Sequence, residues 1–558
     1  MKKIPIGLSD FKEIIEEGYY YIDKSELISE IVDNGAKTIL LPRPRRFGKT
    51  LNLSMLKYFF SAKEGEEKLF ENLSIYKNKK VMNHCTKYPI IYITFKDVKE
   101  SSFEQTLESI KFLIDIEFSK HQKEIDTILD SVDIADKKQY QRIINQEAFD
   151  VDYKKAFKLL SKLLTIAYNQ KCIVLIDEYD TPIQTGFMEG YYNEIVGFFK
   201  TFMGAVLKDN DTNLYKAVLT GILRVSKESI FSDLNNIKVY TLLDNSFANR
   251  FGFTQSEVKN MLKDYNLSNT FNEVEKWYNG YKIGDCTIYN PWSLLNYVDS
   301  KKFDIYWANT SSNGIIKTLV ENSEDFRNDL KVLLKDESVE KVINPNITFR
   351  DKDFHFKEEM LYSFLFFSGY LKYISKRFYR GKYYCKLAIV NIECQYIFEN
   401  VISDWITDSF SSRKLRILLK ALTDGDLKLF ERIFSEFVRD TLSFYDTGKN
   451  IESVYHAFLL GLLVSLDDYE IISNQEAGYG RVDIILLHKR DKNRLAIVME
   501  LKTIDEFEEE TKEKALLSAV NQIKEKEYIS LVKKRGYNNI LAFGVVFDGK
   551  RVWVKTVE

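Results

Sequence analysis

Proline is scarce in this 558-residue chain, with seven, and cysteine and histidine number only five each. So little proline leaves no Pro-rich linker, and the joints between domains should be structured rather than loose tethers. The cysteines, Cys85, Cys172, Cys286, Cys385 and Cys394, are scattered. They lack the spacing of a zinc site or a disulfide framework, and read as reduced thiols of a cytoplasmic protein. The histidines do not cluster either, which argues against zinc. No apolar run reaches membrane length; the richest, Met360 to Tyr373, is broken by Ser363, Ser368 and Lys372. Met1-Lys2-Lys3-Ile4-Pro5 has no signal-peptide core. The expectation is a cytoplasmic chain with no membrane association. An excess of charge of one sign is also missing: 80 basic against 82 acidic residues. Any contact with nucleic acid must therefore be a local patch.

What is present is ordinary globular material, 45% hydrophobic and 29% charged, with aromatics high at 14%. At about 150 residues per domain the length allows three to four domains. The most informative stretch is Leu40-Leu41-Pro42-Arg43-Pro44-Arg45-Arg46-Phe47-Gly48-Lys49-Thr50. It follows an apolar run from Thr38 and opens a segment, Leu51 to Phe60, with helical spacing of apolar residues. Strand, tight loop, Gly-Lys-Thr and helix together form a nucleoside triphosphate cradle. Backbone N–H groups and the helix N-terminus face phosphate, lysine neutralises its charge, and the hydroxyl reaches Mg²⁺. Arg45, Arg46, Phe47, Gly48, Lys49, Thr50 and Leu51 are the expected nucleotide-binding residues. Arg43 stands where the common pattern has its first glycine, in a loop stiffened by Pro42 and Pro44. Its guanidinium faces either solvent or another region of the chain.

The partner of this loop is Cys172-Ile173-Val174-Leu175-Ile176-Asp177-Glu178-Tyr179-Asp180. A continuous apolar run reads as a strand buried on both faces of a parallel sheet, and ligands bind where such strands end. Asp177 would hold Mg²⁺ together with Thr50, and Glu178 would polarise the attacking water. The alternative is a strand ending in a solvated acidic turn. Lys216 to Gly221 reads as a further strand. Thr220 at its tip would sense the terminal phosphate or simply end the strand.

A second chemistry lies near the C-terminus. Ser473 to Leu487 and Leu495 to Lys502 are adjacent β-type runs delivering Asp483, Glu500 and Lys502. Alternation puts Glu500 and Lys502 on one strand face. Asp483 and Glu500 would bind a hard divalent cation, and Lys502 would orient water or stabilise charge on phosphate. The alternative is a surface hairpin with ordinary charges.

Arg43 to Asn52, Tyr21 to Ser25, Asp177 to Asp180, Tyr289-Asn290-Pro291-Trp292-Ser293 and Tyr306 to Ser311 resemble the predicted AAA-ATPase-like family of bacteria and archaea. Members commonly carry a C-terminal PD-(D/E)XK nuclease-like domain. Tyr455-His456, Gly478 to Asp483 and Glu500-Leu501-Lys502 resemble that domain, with Val482 standing where the motif's name has proline. An arginine-rich loop is usual in the family. The resemblance implies Glu452, on the first helix of the unit, as a further metal ligand and Gln522 as a supporting residue of the nuclease core.

The reading is therefore an α/β chain with three regions. Residues 1–250 form an AAA-like P-loop ATPase domain with a parallel sheet. Residues 251–440 form a helical lid and linker region, with a hairpin at Arg377 to Ile389 whose Arg380-Gly381-Lys382 turn is a basic tip. Residues 441–558 form a restriction-endonuclease-like α/β domain. Thr254 with Glu257 should cap the lid helix. The cofactors expected are ATP and Mg²⁺, with Mn²⁺ able to serve the nuclease site. The partners expected are nucleic acid, through a local patch, and a second copy of the chain. Two functions stand: an ATPase coupled to a metal-dependent nuclease, or an ATP-driven switch or scaffold whose nuclease-like domain binds without cleaving. DNA or RNA, the cellular process and the source of any arginine finger are not readable from the sequence.

Overall fold

The computed structural model describes residues 1–63, 65–224, 236–307, 323–334, 337–345, 358–408, 412–441, 452–463, 466, 468–477, 480–504 and 510–557. The chain divides into two compact units, Met1–Ser311 with Glu340–Cys394, and Ser312–Val339 with Gln395–Glu558. Residues 251–311 and 340–394, read from sequence as middle region, thus belong to the first unit.

The first unit is built on five strands: β1 (Thr38–Pro42), β2 (Ile90–Thr94), β3 (Cys172–Asp177), β4 (Leu214–Gly221) and β5 (Ile237–Val239). All pair in parallel, in the order β2-β3-β4-β1-β5. β1 and β3 are buried at every position, which is why their sequences are continuous apolar runs rather than alternating ones. β4 lies between the strand leading into the arginine-rich loop and the strand ending in Asp177. The register sets Leu41 beside Thr220 and Thr94 beside Asp177. The carboxyl edge of the sheet therefore presents hydroxyl, carboxylate and hydroxyl in a row.

The segment before β1 forms two helices, Phe11–Glu16 and Glu26–Asp33. Between them Asp23 accepts hydrogen bonds from the Ser25 and Ser74 amides, so Tyr21 to Ser25 is anchored as a half-buried turn. Lys24 reaches the Asn249 carbonyl at 3.1 Å and Glu257 at 2.7 Å. Glu257 also closes the capping box expected with Thr254, at the start of helix Gln255–Asp264. The remainder of this unit adds a three-stranded sheet, β6 (Phe253–Thr254), β7 (Tyr281–Ile283) and β8 (Cys286–Tyr289), in the order β6-β8-β7. Asn290 caps helix Pro291–Ser300 by accepting from the Trp292 and Ser293 amides, with Pro291 at the first turn. Trp277, Tyr278, Tyr297 and Phe303 pack their rings against one another. The region expected to be mainly helical also holds β9 (Val339–Ile343), β10 (Leu371–Tyr379) and β11 (Lys382–Ile389), in the order β10-β11-β9. Ala308 to Ser311, from one family-like motif, lies outside the described residues.

The second unit is a mixed sheet of β12 (Tyr469–Ala477), β13 (Gly480–His488), β14 (Ala496–Thr503), β15 (Ile540–Asp548) and β16 (Arg551–Thr556), ordered by number. Only β14 and β15 are parallel, and helix Lys512–Glu525 makes the crossover between them. It packs over Gly544, where an added Cβ would stand 2.6 Å from the Ala519 Cβ. Gly544 is the register partner of Glu500, so this close approach fixes the helix beside the candidate site. No helix among the described residues is long and apolar enough to cross a membrane.

Gly544→Val should overpack this contact and lower the unfolding free energy of the second unit by about 1–3 kcal/mol, read by urea denaturation followed by circular dichroism.

Candidate nucleotide and phosphodiester sites

The loop after β1 turns through two left-handed residues, Arg46 at φ 65° and Gly48 at φ 75°, and Gly48 opens helix Lys49–Phe60. Glycine accepts that backbone freely; arginine does so at a cost, and such strain collects at functional turns. Lys49 is buried with its Nζ folded under the loop, 3.3 Å from the Arg43 carbonyl, 3.1 Å from the Pro44 carbonyl and 3.2 Å from Glu178. Thr50 donates to Asp177 Oδ2 at 2.7 Å and Thr220 donates to Oδ1 at 2.6 Å. Thr94 adds a longer contact to Oδ2 at 3.4 Å. Burial pushes the Asp177 carboxyl above the usual range and the Glu178 charge adds to this, while the two hydroxyls pull it back. Glu178 follows directly in a left-handed conformation, φ 51°, which turns its side chain to Lys49.

Arg43 does not face phosphate. Its guanidinium is fully buried and donates to the carbonyls of Pro42 at 2.8 Å, Tyr240 at 2.7 Å and Phe247 at 3.2 Å. Burial lowers it to about 10, so it keeps its charge at neutral pH. The position that is glycine elsewhere is here an internal cation tying the loop to residues 240–247. Phe47 is buried edge-on against Tyr281 at 4.9 Å, so its side chain is packing and only its backbone is available to a ligand. Arg45 offers its carbonyl to the Trp307 indole at 3.3 Å, and the Arg46 guanidinium lies 4.2 Å from the Trp292 ring.

In the second unit, Asp483 and Glu500 lie one step beyond the last paired residues of β13 and β14, Ile484 and Met499. Asp483 Oδ2 accepts the Leu501 amide at 2.8 Å, filling the gap where the ladder opens. Glu500 is 1% exposed, with Lys502 Nζ at 3.7 Å. Burial raises the Asp483 carboxyl. His456 contacts Ser473 Oγ at 3.0 Å and the Asp483 carbonyl at 3.2 Å, and burial lowers its pKa, so it serves as a neutral support of the strand. Gln522 hydrogen-bonds Tyr528, a buried phenol lying in the field of Glu500 and Asp483. Glu452 begins helix Glu452–Leu463, but its side chain lies outside the described residues, as do Gly478 and Tyr479. Among the described residues no group of three or more His, Cys, Asp or Glu side chains converges as a ready-made metal cluster.

Residues 5–231 match the family model described as Predicted AAA-ATPase, and residues 450–557 match that of the PD-(D/E)XK nuclease superfamily. The chain joins an AAA-ATPase-like domain to a PD-(D/E)XK nuclease-like domain. It is also 27% identical over 331 residues to an uncharacterized protein in the vnfD 5′ region of Azotobacter chroococcum mcd 1. That match covers 58% of this chain and 57% of the relative, so the chain spans little more than half of that protein's length.

In the ATPase-like domain the fold brings Lys49, Thr50, Asp177, Glu178 and Thr220 together, with Leu51 following on the same helix. In the nuclease-like domain it brings together Asp483, Glu500 and Lys502, with Gln522 near them through Tyr528. Sequence alone does not mark Thr94 and Tyr528, which reach their sites from distant segments, or Ser473, which reaches its site through His456. It passes over Asp180 as well. That carboxyl is fully buried, and its Oδ2 accepts the Ile222 and Leu223 amides at 3.0 and 2.8 Å and Gln184 at 2.7 Å. It thereby fixes the chain just beyond Thr220.

Burial raises Asp180 from 3.8 to about 6, reinforced by the Glu178 charge. Between these values the folded chain binds a proton that the unfolded chain releases, so this group's contribution to stability falls as pH rises through the window. Unfolding free energies from urea titrations between pH 4 and 7 should therefore decline less steeply in Asp180→Asn than in the parent, a difference of up to about 3 kcal/mol.

Proposed function

We propose that this chain is an ATP-binding AAA-like ATPase whose nucleotide state controls a divalent-metal-dependent nuclease acting on nucleic-acid phosphodiester bonds. The observation that carries the proposal is the hydrogen-bonded row Thr50–Asp177–Thr220 at the edge of a buried parallel sheet, with Lys49 folded beneath the loop. A hydroxyl and a carboxylate 2.7 Å apart form a hard-oxygen donor pair that fits Mg²⁺. When bound there, the ion would neutralise charge on the β- and γ-phosphates. Lys49 would exchange its two carbonyl acceptors for phosphate oxygens, and the amides from Arg45 to Leu51 would line the phosphate chain. Glu178, released from Lys49, would orient the attacking water and take up its proton. Thr220 keeps the second Asp177 oxygen engaged, so the carboxylate turns one lone-pair face to the ligand.

In the nuclease-like domain, Asp483 and Glu500 are again hard-oxygen donors suited to Mg²⁺ or Mn²⁺, and Glu452 is placed in the protein sequence to join them. A divalent ion there would supply Lewis-acid activation of phosphate. Lys502 would orient the attacking water and stabilise charge on the phosphate oxygens, with Gln522 and Tyr528 fixing the surrounding polar groups. The division into 1–250, 251–440 and 441–558 belongs to this proposal, as does nucleic acid as the partner. Coupling is proposed from the joining of the two domains in one chain, and the phosphate loop is linked by hydrogen bonds to the start of helix Ile392–Asp408. In its first turn Glu393 is buried, accepting from Ser293 at 2.8 Å and from the Trp307 amide at 2.6 Å. The Trp307 indole in turn holds the Arg45 carbonyl of the phosphate loop.

Labelled DNA and RNA incubated with the full chain and Mg²⁺ or Mn²⁺, with and without ATP, test the proposal. Lys502→Ala should reduce cleavage at least 100-fold with ATP binding intact. Lys49→Ala should leave cleavage but abolish its response to ATP. ATP binding with no cleavage of any substrate would instead favour a nucleotide-driven switch or scaffold.

A further inference from the structure

Strands β10 and β11 form a hairpin whose composition departs from the rest of the chain. From Leu371 to Ile389 there are six lysines and arginines, five tyrosines and phenylalanines, and no aspartate or glutamate, in a protein whose net charge is −2. The strands pair antiparallel from Leu371–Ile389 out to Tyr379–Lys382, with a bulge between Tyr373 and Ser375. Beyond the bulge, the pairs Ser375–Lys386, Arg377–Tyr384 and Tyr379–Lys382 share one face by alternation. Each is exposed except Tyr384, which is half-buried. Near the tip, Phe378 and Tyr379 are 64% and 52% exposed.

The turn itself carries a second observation. Tyr379 and Lys382 pair directly, leaving a two-residue loop, Arg380-Gly381, with both φ values positive at 48° and 79°. Asn-Gly or Asp-Gly forms such a turn at the lowest cost. Here the first position is arginine, which must hold a left-handed backbone to keep its charge at the tip, 5.2 Å from the Tyr379 ring. Nearer the base the cations are committed: Lys372 donates to the Val390 carbonyl and Lys376 to the Leu243 carbonyl. Toward the tip a pair of carboxylates lies within reach, Glu340 at 3.5 Å from Arg377 and Glu359 at 3.4 Å from Lys382. Both cations of these pairs are solvent-exposed, and the pairs are weak enough to exchange for a phosphate.

The geometry points to the outer half of this hairpin as a binding surface for single-stranded nucleic acid. Arg377, Arg380 and Lys382 meet the phosphates and Tyr379, on the face of Arg377 and Lys382, stacks on a base, while Phe378 stands on the opposite face beside Tyr383, where a strand crossing the tip meets it. Exposed rings between cations at strand spacing suit unpaired bases, whereas a duplex would engage the charges and leave the rings in water. This assignment deepens the reading of the chain as one that acts on nucleic acid and rests on it for the identity of the partner.

The test is binding of fluorescent single-stranded DNA and RNA 20-mers, and of the corresponding duplex, by the full chain in EDTA over a range of salt. Phe378→Ala/Tyr379→Ala should weaken single-strand binding at least tenfold and duplex binding little. Arg377→Ala/Arg380→Ala/Lys382→Ala should weaken it further and reduce the slope of log K against log salt by about 2, a change that misfolding would not mimic. Unchanged circular dichroism confirms that each variant is folded. Single-strand affinity and salt slope equal to the parent in both variants would overturn the assignment. So would losses confined to duplex. Binding without EDTA and cleavage by the same variants separate the two proposals. Hairpin-dependent binding without any cleavage would leave this surface standing and remove the nuclease. Cleavage lost in Lys502→Ala, with binding indifferent to the hairpin, would do the reverse.

Discussion

The first unit turns on one buried carboxylate. Asp177 ends a strand buried on both sides, where an isolated charge would be costly, and it is retained because hydroxyls from two other segments are aimed at it. Thr50 belongs to the helix after the loop and Thr220 to the neighbouring strand. One acidic side chain therefore sets the spacing between loop, acidic strand and the strand inserted between them. Sheet order, helix start and the turn at Glu178 are legible as the means of bringing these three oxygens together.

The loop is held from below and behind by groups with no role toward phosphate. Arg43 fills a buried space with a cation whose two terminal nitrogens donate to three carbonyls, an arrangement that ties the loop to residues 240–247. Trp307 grips the Arg45 carbonyl, and its own amide is held by Glu393, whose carboxyl is raised by burial to about 7. The loop is thus connected by hydrogen bonds to the first turn of helix Ile392–Asp408. Such a chain of satisfied buried polar groups is stiff, because leaving any member unpaired costs more than the bond itself contributes.

The sequence made the buried strands and the loop readable, since continuous apolar runs and Gly-Lys-Thr have local causes. It also made the capping box at Thr254 and Glu257 readable, for the same reason. Arg43 was not readable: nothing local distinguishes a buried guanidinium from the solvated arginines two and three residues on. Tyr528 was not readable because its contact with the Asp483–Glu500 region closes loops of tens of residues, and Ser473 because it acts through His456 on another element. The middle of the chain was read as mainly helical apart from one hairpin; β9 escaped because Val339 to Ile343 is short and half-polar. In the nuclease-like domain alternation correctly paired Glu500 with Lys502 on one face. The Leu501 amide turning to Asp483 could come only from the way β13 and β14 diverge.

The account stands most directly on the Thr50–Asp177 pair as a metal-assisted nucleotide site. Isothermal titration of ATP into the full chain, with Mg²⁺ and in EDTA, beside the isosteric Thr50→Val variant, measures it. Mg²⁺ should tighten ATP binding at least tenfold in the parent, and Thr50→Val should keep the metal-free affinity while losing this gain. An equal gain in both proteins, or no ATP binding by the parent, would contradict it.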